Sequence, residues 1–241
     1  MHGWAALAAG ISTPDQWMDW FNRPFALAQE FSADISWMPA ALRRRVSPAG
    51  RAALGVLAAC QTAPCPVVFA SAYGDLADTA ELLAQLHAEG IVSPMGFSLA
   101  VHNAPVGVYS IARQDRTTTT SIAARTDLAE SAFLEAIGWL ANGVEQVVVV
   151  CSGDCIPEPY AATTRERGVR HAWACRLRLA SSGGFSLDVA DEAGVAVADG
   201  AVTGSSPAAD PPDLKALAFL VGGKSEALTS ETGRYLWWHH A

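Results

Sequence analysis

The sequence predicts an α/β domain built on a mainly parallel, mixed sheet covered by helices, and three observations carry that expectation. β-Branched runs recur at residues 66–71, 117–123 and 144–151. Helix-period segments lie between them, and short Gly, Pro and Asn punctuation separates the two. The run at 144–151 reads Val-Glu-Gln-Val-Val-Val-Val-Cys, and its continuous apolar part is the pattern of a strand covered on both faces. Residues 75–89 place Leu76, Thr79, Leu83 and Leu86 on one side, with Asp75 as N-cap and Gly90 as stop. Residues 127–142 place Leu128, Ala132, Ala136 and Leu140 at i, i+4 spacing with Phe133 and Ile137 beside them, ending at Asn142-Gly143. Strand, helix and strand in this order form a βαβ unit.

Beyond this unit the pattern weakens. Residues 157–168 are polar and without a period, while 173–180 and 185–189 flank Ser181-Ser182-Gly183-Gly184 and read as a hairpin. A loop at 204–212 precedes an apolar segment at 214–221. No internal repeat or low-complexity tract appears, so residues 1–241 are read as one domain.

Composition narrows the function classes. With 51% hydrophobic and 17% charged residues, the chain is too apolar to be disordered. Its net charge of −8 argues against a nucleic-acid surface and against direct docking of another acidic protein. No apolar run reaches the length of a membrane span, and the start Met1-His2-Gly3-Trp4 lacks a basic leader, so a cytoplasmic location is expected. Cys60, Cys65, Cys151, Cys155 and Cys175 are odd in number and mostly lie in apolar stretches, which predicts reduced, largely buried thiols.

Candidate chemistry is sparse. Gly222-Gly223-Lys224-Ser225 resembles the end of a phosphate loop, but the pattern requires glycine where Ala218 stands. Cys151 and Cys155 have no second pair at zinc-like spacing, so neither a metal nor a cofactor is expected. Arg43-Arg44-Arg45 is the only basic cluster, and a solvated face is the ordinary meaning of such a run. Of the histidines, His102-Asn103 stands out because it precedes a helix-like stretch to Arg113. A structural, hydrogen-bonding histidine is the reading its neighbours favour.

Four motifs together carry a resemblance. They are Val68-Phe69-Ala70-Ser71-Ala72-Tyr73-Gly74-Asp75-Leu76, Ser93-Pro94-Met95-Gly96-Phe97-Ser98, Val101-His102-Asn103-Ala104-Pro105-Val106-Gly107, and Arg43-Arg44-Arg45-Val46-Ser47-Pro48-Ala49-Gly50-Arg51. The chain resembles the N-terminal half of β-ketoacyl synthases. It is closer still to the short ketosynthase-like chain length factors of aryl polyene and xanthomonadin-type pigment clusters. Residues 1–155 match well and 156–241 only loosely. The resemblance implies half of a thiolase-like fold with a C-terminal hairpin elaboration.

In active family members a cysteine occupies a strand-to-helix turn, where the helix dipole and backbone N–H groups activate it. Counting forward from Gly107 and backward from Gly143 lands on Thr126, whose local reading is an N-cap with Glu130 in the first turn. The resemblance places the two family histidines in a C-terminal half that these 241 residues do not match, and Trp237-Trp238-His239-His240 does not resemble their motifs. It therefore implies a non-catalytic subunit that heterodimerises with a full-length β-ketoacyl-ACP synthase, shapes its acyl pocket, and meets acyl carrier protein through that partner. Strand 117–123, with Thr118, Thr120 and Ile122, would meet its counterpart in the partner. Tyr73 would lie near the acyl end, and His102, Asn103, Val106 and Tyr109 form the second tunnel or interface candidate. Rival readings are a stand-alone acyltransferase or decarboxylase and a purely structural scaffold subunit.

Overall fold

A computed structural model describes residues 1, 3–158, 160–164, 168–190, 211–222 and 227–240. The chain begins with β1 (Trp4–Ala8), α1 (Pro14–Asn22), α2 (Ala40–Arg43) and α3 (Pro48–Cys60). Then come β2 (Val67–Ser71), α4 (Leu76–Glu89), α5 (Pro94–Leu99), α6 (Ala104–Arg113), β3 (Thr119–Ala123), α7 (Leu128–Ala141) and β4 (Val147–Gly153). The remainder holds α8 (Tyr160–Thr164), β5 (His171–Leu177), β6 (Gly184–Val189), α9 (Pro212–Gly222), β7 (Ala227–Thr229) and β8 (Tyr235–His240).

Five strands form one sheet in the order β1-β5-β4-β2-β3. β2 pairs in parallel with both β3 and β4, and β5 runs antiparallel to both β4 and β1. Only β5 therefore opposes the other four, and the sheet is mixed and mainly parallel, as expected. Both faces are covered. Val68, Ala70, Val149 and Cys151 point toward α7, α1 and α9, whereas Val67, Phe69, Val148 and Val150 point toward α3 and α6. This two-sided burial is why β2 and β4 read as unbroken apolar runs. β4 starts later than the run at 144–151, because Gly143 at φ 91 ends α7 and Val144 N–H bonds back to Trp139 O. It extends to Gly153 because Ser152 and Gly153 pair with Ala172 and His171.

The hairpin expected from 173–180 and 185–189 does not form. β5 is inserted between β1 and β4, while β6 joins β8 and β7 in a separate antiparallel sheet. The reason is burial. Ala172, Trp173, Ala174 and Cys175 are all fully buried, so β5 requires cover on both faces, whereas β6 alternates half-buried Phe185 and Leu187 with the more polar Ser186 and Asp188. The C-terminal hairpin is instead β7 with β8. A short helix, α8, interrupts the polar stretch at 157–168. Most of the loop expected at 204–212, and Gly223, Lys224 and Ser225 of the phosphate-loop-like tetrad, lie outside the described residues.

Two caps differ from expectation. Asp75 stands at the N-cap position of α4 but makes no capping bond; its carboxylate accepts from Ser47 Oγ at 2.6 Å. Thr126 is not the N-cap of α7: that place belongs to Asp127, at φ 51 and ψ 44, which also makes no side-chain cap bond. Sequence pattern located both helices, but a cap depends on backbone angle and tertiary partners.

Candidate partner-facing surface and elbow

β3 is the outer strand of the five-stranded sheet, and within it pairs only with β2, from Thr119 opposite Val67 to Ala123 opposite Ser71. Its second edge leaves alternate N–H and C=O groups without a ladder neighbour in the sheet. Thr118 and Thr119 are exposed. Thr120 and Ile122 turn inward: Thr120 Oγ1 donates to Glu135 Oε1 of α7 at 3.3 Å, and Ile122 packs on the core beneath the same helix. The main-chain edge of β3, rather than those two side chains, is what faces outward.

Beside the sheet, α4 is a helix of 14 residues without one buried side chain, and α5 has none either. Leu83 (52% exposed), Leu86 (47%), Ile91 (69%), Met95 (59%), Phe97 (67%) and Val101 (44%) leave this region strongly apolar. Asp78, Glu81 and Glu89 are its exposed acids. Of the side of α4 that the sequence pattern marked, Leu76 and Thr79 are half-buried while Leu83 and Leu86 are exposed. The period reports an apolar face and says nothing of which chain covers it.

At the carboxyl ends of β2 and β4 a small cleft is lined by Phe69, Ser71, Gly74, Asp75, His102 and Ser152, among others. Ligand clefts of open α/β sheets lie at this end of the strands. His102 Nε2 lies 3.3 Å from Ser71 O and the ring stands beside Phe69, centroid to centroid 5.5 Å. Burial, only partly offset by the Ser71 carbonyl, holds its pKa below the usual histidine value. Since that carbonyl only accepts, Nε2 carries the proton. Burial likewise raises Asp75 to about 6, against the bond from Ser47. Neither Ser47 nor Asp75 was a sequence candidate; Ser47 lies 28 residues from Asp75 and no local pattern joins them.

The remaining candidates are distributed differently. Tyr73 is half-buried in the turn between β2 and α4, next to Gly74 at φ 59, and Asn103 is exposed at the N-cap position of α6. Val106 and Tyr109 are buried in the layer between α6, α3 and the sheet, and Tyr109 Oη donates to Gln61 Oε1 at 2.8 Å. They do not lie on the surface open to another chain, where Ile111 (64% exposed) represents α6 instead.

The turn from β3 to α7 is Ala124-Arg125-Thr126-Asp127. Arg125 and Thr126 are exposed, while Asp127 is buried in the left-handed conformation. Its Oδ1 accepts from Thr232 N at 3.0 Å, and Oδ2 takes the Thr232 hydroxyl. One turn further, buried Glu130 accepts from Trp237 Nε1 at 2.8 Å. A second, open trench is framed by Asp154, Cys155, Glu158 and Arg170, where the Arg170–Asp154 ion pair at 2.8 Å and Cys155 Sγ to Gln29 O at 2.8 Å tie loops together. Cys60, Cys65, Cys151 and Cys175 are buried, and burial pushes the Cys60 thiol up to about 12, so it stays protonated at neutral pH. Among the described residues no group of three or more His, Cys, Asp or Glu is placed to hold a metal ion, and no helix is long and apolar enough to cross a membrane.

Comparison with solved structures places the fold. A chain of the ketosynthase ApeO in complex with its chain length factor ApeC, from Xenorhabdus doucetiae, superposes with a TM-score of 0.77 at 20% identity, over 99% of this chain and 97% of that one. The ishigamide ketosynthase/chain length factor aligns with a TM-score of 0.55 at 14% identity, over 78% of this chain and 66% of that one. A β-ketoacyl synthase from Burkholderia phymatum STM815 gives 0.57 at 14%, over 82% and 65%. No curated protein matches the sequence. The family model described as β-ketoacyl synthase, N-terminal domain, matches residues 17–239. That match takes in every described strand but β1, and the chain belongs to the β-ketoacyl synthase N-terminal domain family.

Proposed function

We propose that this chain is a non-catalytic, chain-length-factor-like subunit that heterodimerises with a full-length β-ketoacyl-ACP synthase and completes its acyl pocket in polyene or fatty-acyl-type biosynthesis. The observation that carries the reading is the uncovered apolar surface of α4 and α5, a 14-residue helix and its neighbour without a buried side chain. Apolar faces of this kind are covered by another chain in stable assemblies. The outer edge of β3, without a strand neighbour among the described residues, offers main-chain pairing in the same assembly, and the acids along α4 call for a partner face with a cationic rim. The likeness to a chain of the ApeO–ApeC complex, over nearly all of both chains, agrees with a subunit of this size. The elbow supports a non-catalytic role: it carries Thr126, exposed, and Asp127, whose carboxylate is bound to Thr232. Acyl carrier protein would be met through the partner, and Tyr73, beside the cleft at the end of β2, would border the end of the growing chain.

Co-expression with its cognate ketosynthase, followed by native mass measurement, tests the reading. The wild-type pair is expected as a 1:1 complex, and Leu86→Glu with Phe97→Glu should abolish it while the free chain stays folded. Recovery of the double variant in the complex at wild-type yield would sink the proposal. In the intact pair, Tyr73→Ala should lengthen the product; an unchanged product at unchanged assembly would favour a scaffold subunit.

A further inference from the structure

Asp127 is held in a backbone conformation that non-glycine residues seldom adopt, shared among the described residues only by Gln114. At φ 51 and ψ 44 it is left-handed, a state disfavoured for most L-residues. An aspartate that caps a helix is ordinarily extended and accepts an N–H of the first turn, whereas here the backbone is left-handed and the carboxylate makes no cap bond to α7. It points instead to the β7–β8 turn, 105 residues away, where Thr232 supplies both its N–H, at 3.0 Å, and its hydroxyl. The same hydroxyl accepts Arg234 N–H at 3.3 Å, and Ser230 O accepts Gly233 N–H at 3.0 Å, so the turn is itself braced. One turn along α7, Glu130 is fastened to the same hairpin by Trp237 Nε1. Two carboxylates on the first turn of α7, a position the helix dipole favours for anions, are therefore both committed to the C-terminal sheet.

The two fastenings differ in kind. Trp237 is fully buried, with its ring 4.9 Å from that of Phe133 and T-shaped to it, so it anchors the C-terminal sheet to α7 by apolar packing. Thr232 is only partly buried and brings little apolar area; its bonds act on the elbow. In front of this fixed residue stand exposed Arg125 and Thr126, followed backward by Ala123, the last residue of the β3 edge.

We propose that the β7–β8 turn is a clamp that sets the β3–α7 elbow for partner docking, with Asp127 and Thr232 as its positioning residues. The inference rests on the heterodimer reading above. In it the C-terminal region fixes, from behind, the end of the strand edge that the ketosynthase would pair with.

The test uses the full chain and its cognate ketosynthase. Thr232→Val removes the hydroxyl, Thr232→Ser keeps it, and Asp127→Gly removes both bonds while allowing the left-handed backbone without strain. Affinity is measured by titration calorimetry, and amide exchange of residues 124–128 is followed in the free chain. Thr232→Val and Asp127→Gly should each weaken the complex about tenfold and speed elbow exchange, and Thr232→Ser should restore both. A residue that only stabilised the fold would lower the melting temperature and leave affinity unchanged in the folded protein; that result overturns the clamp. If wild type binds no ketosynthase, the heterodimer reading fails, and the exchange arm still decides the clamp, since elbow exchange unchanged in Thr232→Val rejects it. Should Thr232→Val not fold, Asp127→Gly and Thr232→Ser supply the same comparison.

Discussion

His171 is a buried titratable side chain engaged at both ring nitrogens. It is 3% exposed, with Nδ1 2.8 Å from Val169 O and Nε2 3.0 and 3.1 Å from the two oxygens of Asp213. Both nitrogens face acceptors, so only the doubly protonated ring donates at each. Trp173 Nε1 donates to the same carboxylate at 2.8 Å. Burial opposes the charge on His171, but the Asp213 carboxylate and the bonds outweigh it, and its pKa ends above the ordinary value. Burial also opposes charge on Asp213, and His171 with Trp173 brings it below the ordinary value. The signs fix the pH window. The part due to His171 is fully present below about 6.5 and is lost as pH rises through its raised folded value. The part due to Asp213 is present above about 3.9 and is lost as pH falls through its lowered value. Melting temperature should therefore fall as pH rises from about 6.5 through the raised His171 value, and His171→Gln should flatten that limb while costing about 3 kcal/mol at pH 6. An alkaline limb unchanged by His171→Gln would refute this assignment. None of it was legible in sequence, because Asp213 lies 42 residues from His171 and meets it only once α9 has docked.

At the scale of elements, helices and buried strands were legible where one short-range pattern determined them. The apolar stretch 147–151 marked β4, Gly90 ended α4 in the left-handed conformation, and the i, i+4 spacing of Ala132, Ala136 and Leu140 marked the buried face of α7. Pattern failed where the partner decided. The strands at 173–180 and 185–189 looked like a hairpin because each is strand-like and a Gly-Gly turn lies between; which sheet accepts each depends on how many of its faces are apolar. For α4 the same limit applies to burial. Leu83→Glu should change the stability of the free chain by less than about 0.5 kcal/mol, since the residue is 52% exposed. Phe133→Ala, at an equally apolar helical position that is fully buried, should cost about 3–5 kcal/mol. Urea denaturation of the two variants makes the comparison, and equal losses would mean that α4 already has its cover within the chain.

The molecule as a whole joins a large sheet covered on both faces to a small antiparallel sheet, and the junction lies on α7 and α9. β2, β4 and β5 are sealed between two apolar layers, so their amides open only when the large core does. β6, β7 and β8 meet that core through a smaller set of groups, among them Trp237 against Phe133, Phe219 and Glu130, Phe185 against Phe133, His239 against Phe219, and Thr232 against Asp127. Asp188 and Val189 on β6 and Trp238 on β8 stay exposed. Trp237 is the one fully buried apolar side chain among the described residues of these three strands, and its loss would also leave Glu130 buried without its donor. Two opening units are expected. In native-state hydrogen exchange β6 and β8 amides should open at a lower free energy than those of β4, and Trp237→Phe should lower the first by about 2 kcal/mol while moving the second much less. If β8 and β4 amides instead share one opening free energy in wild type and fall together in the variant, the two sheets form a single cooperative unit. The elbow would then be held by the fold at large, and a hairpin clamp would have no separate equilibrium through which to act on the edge of β3.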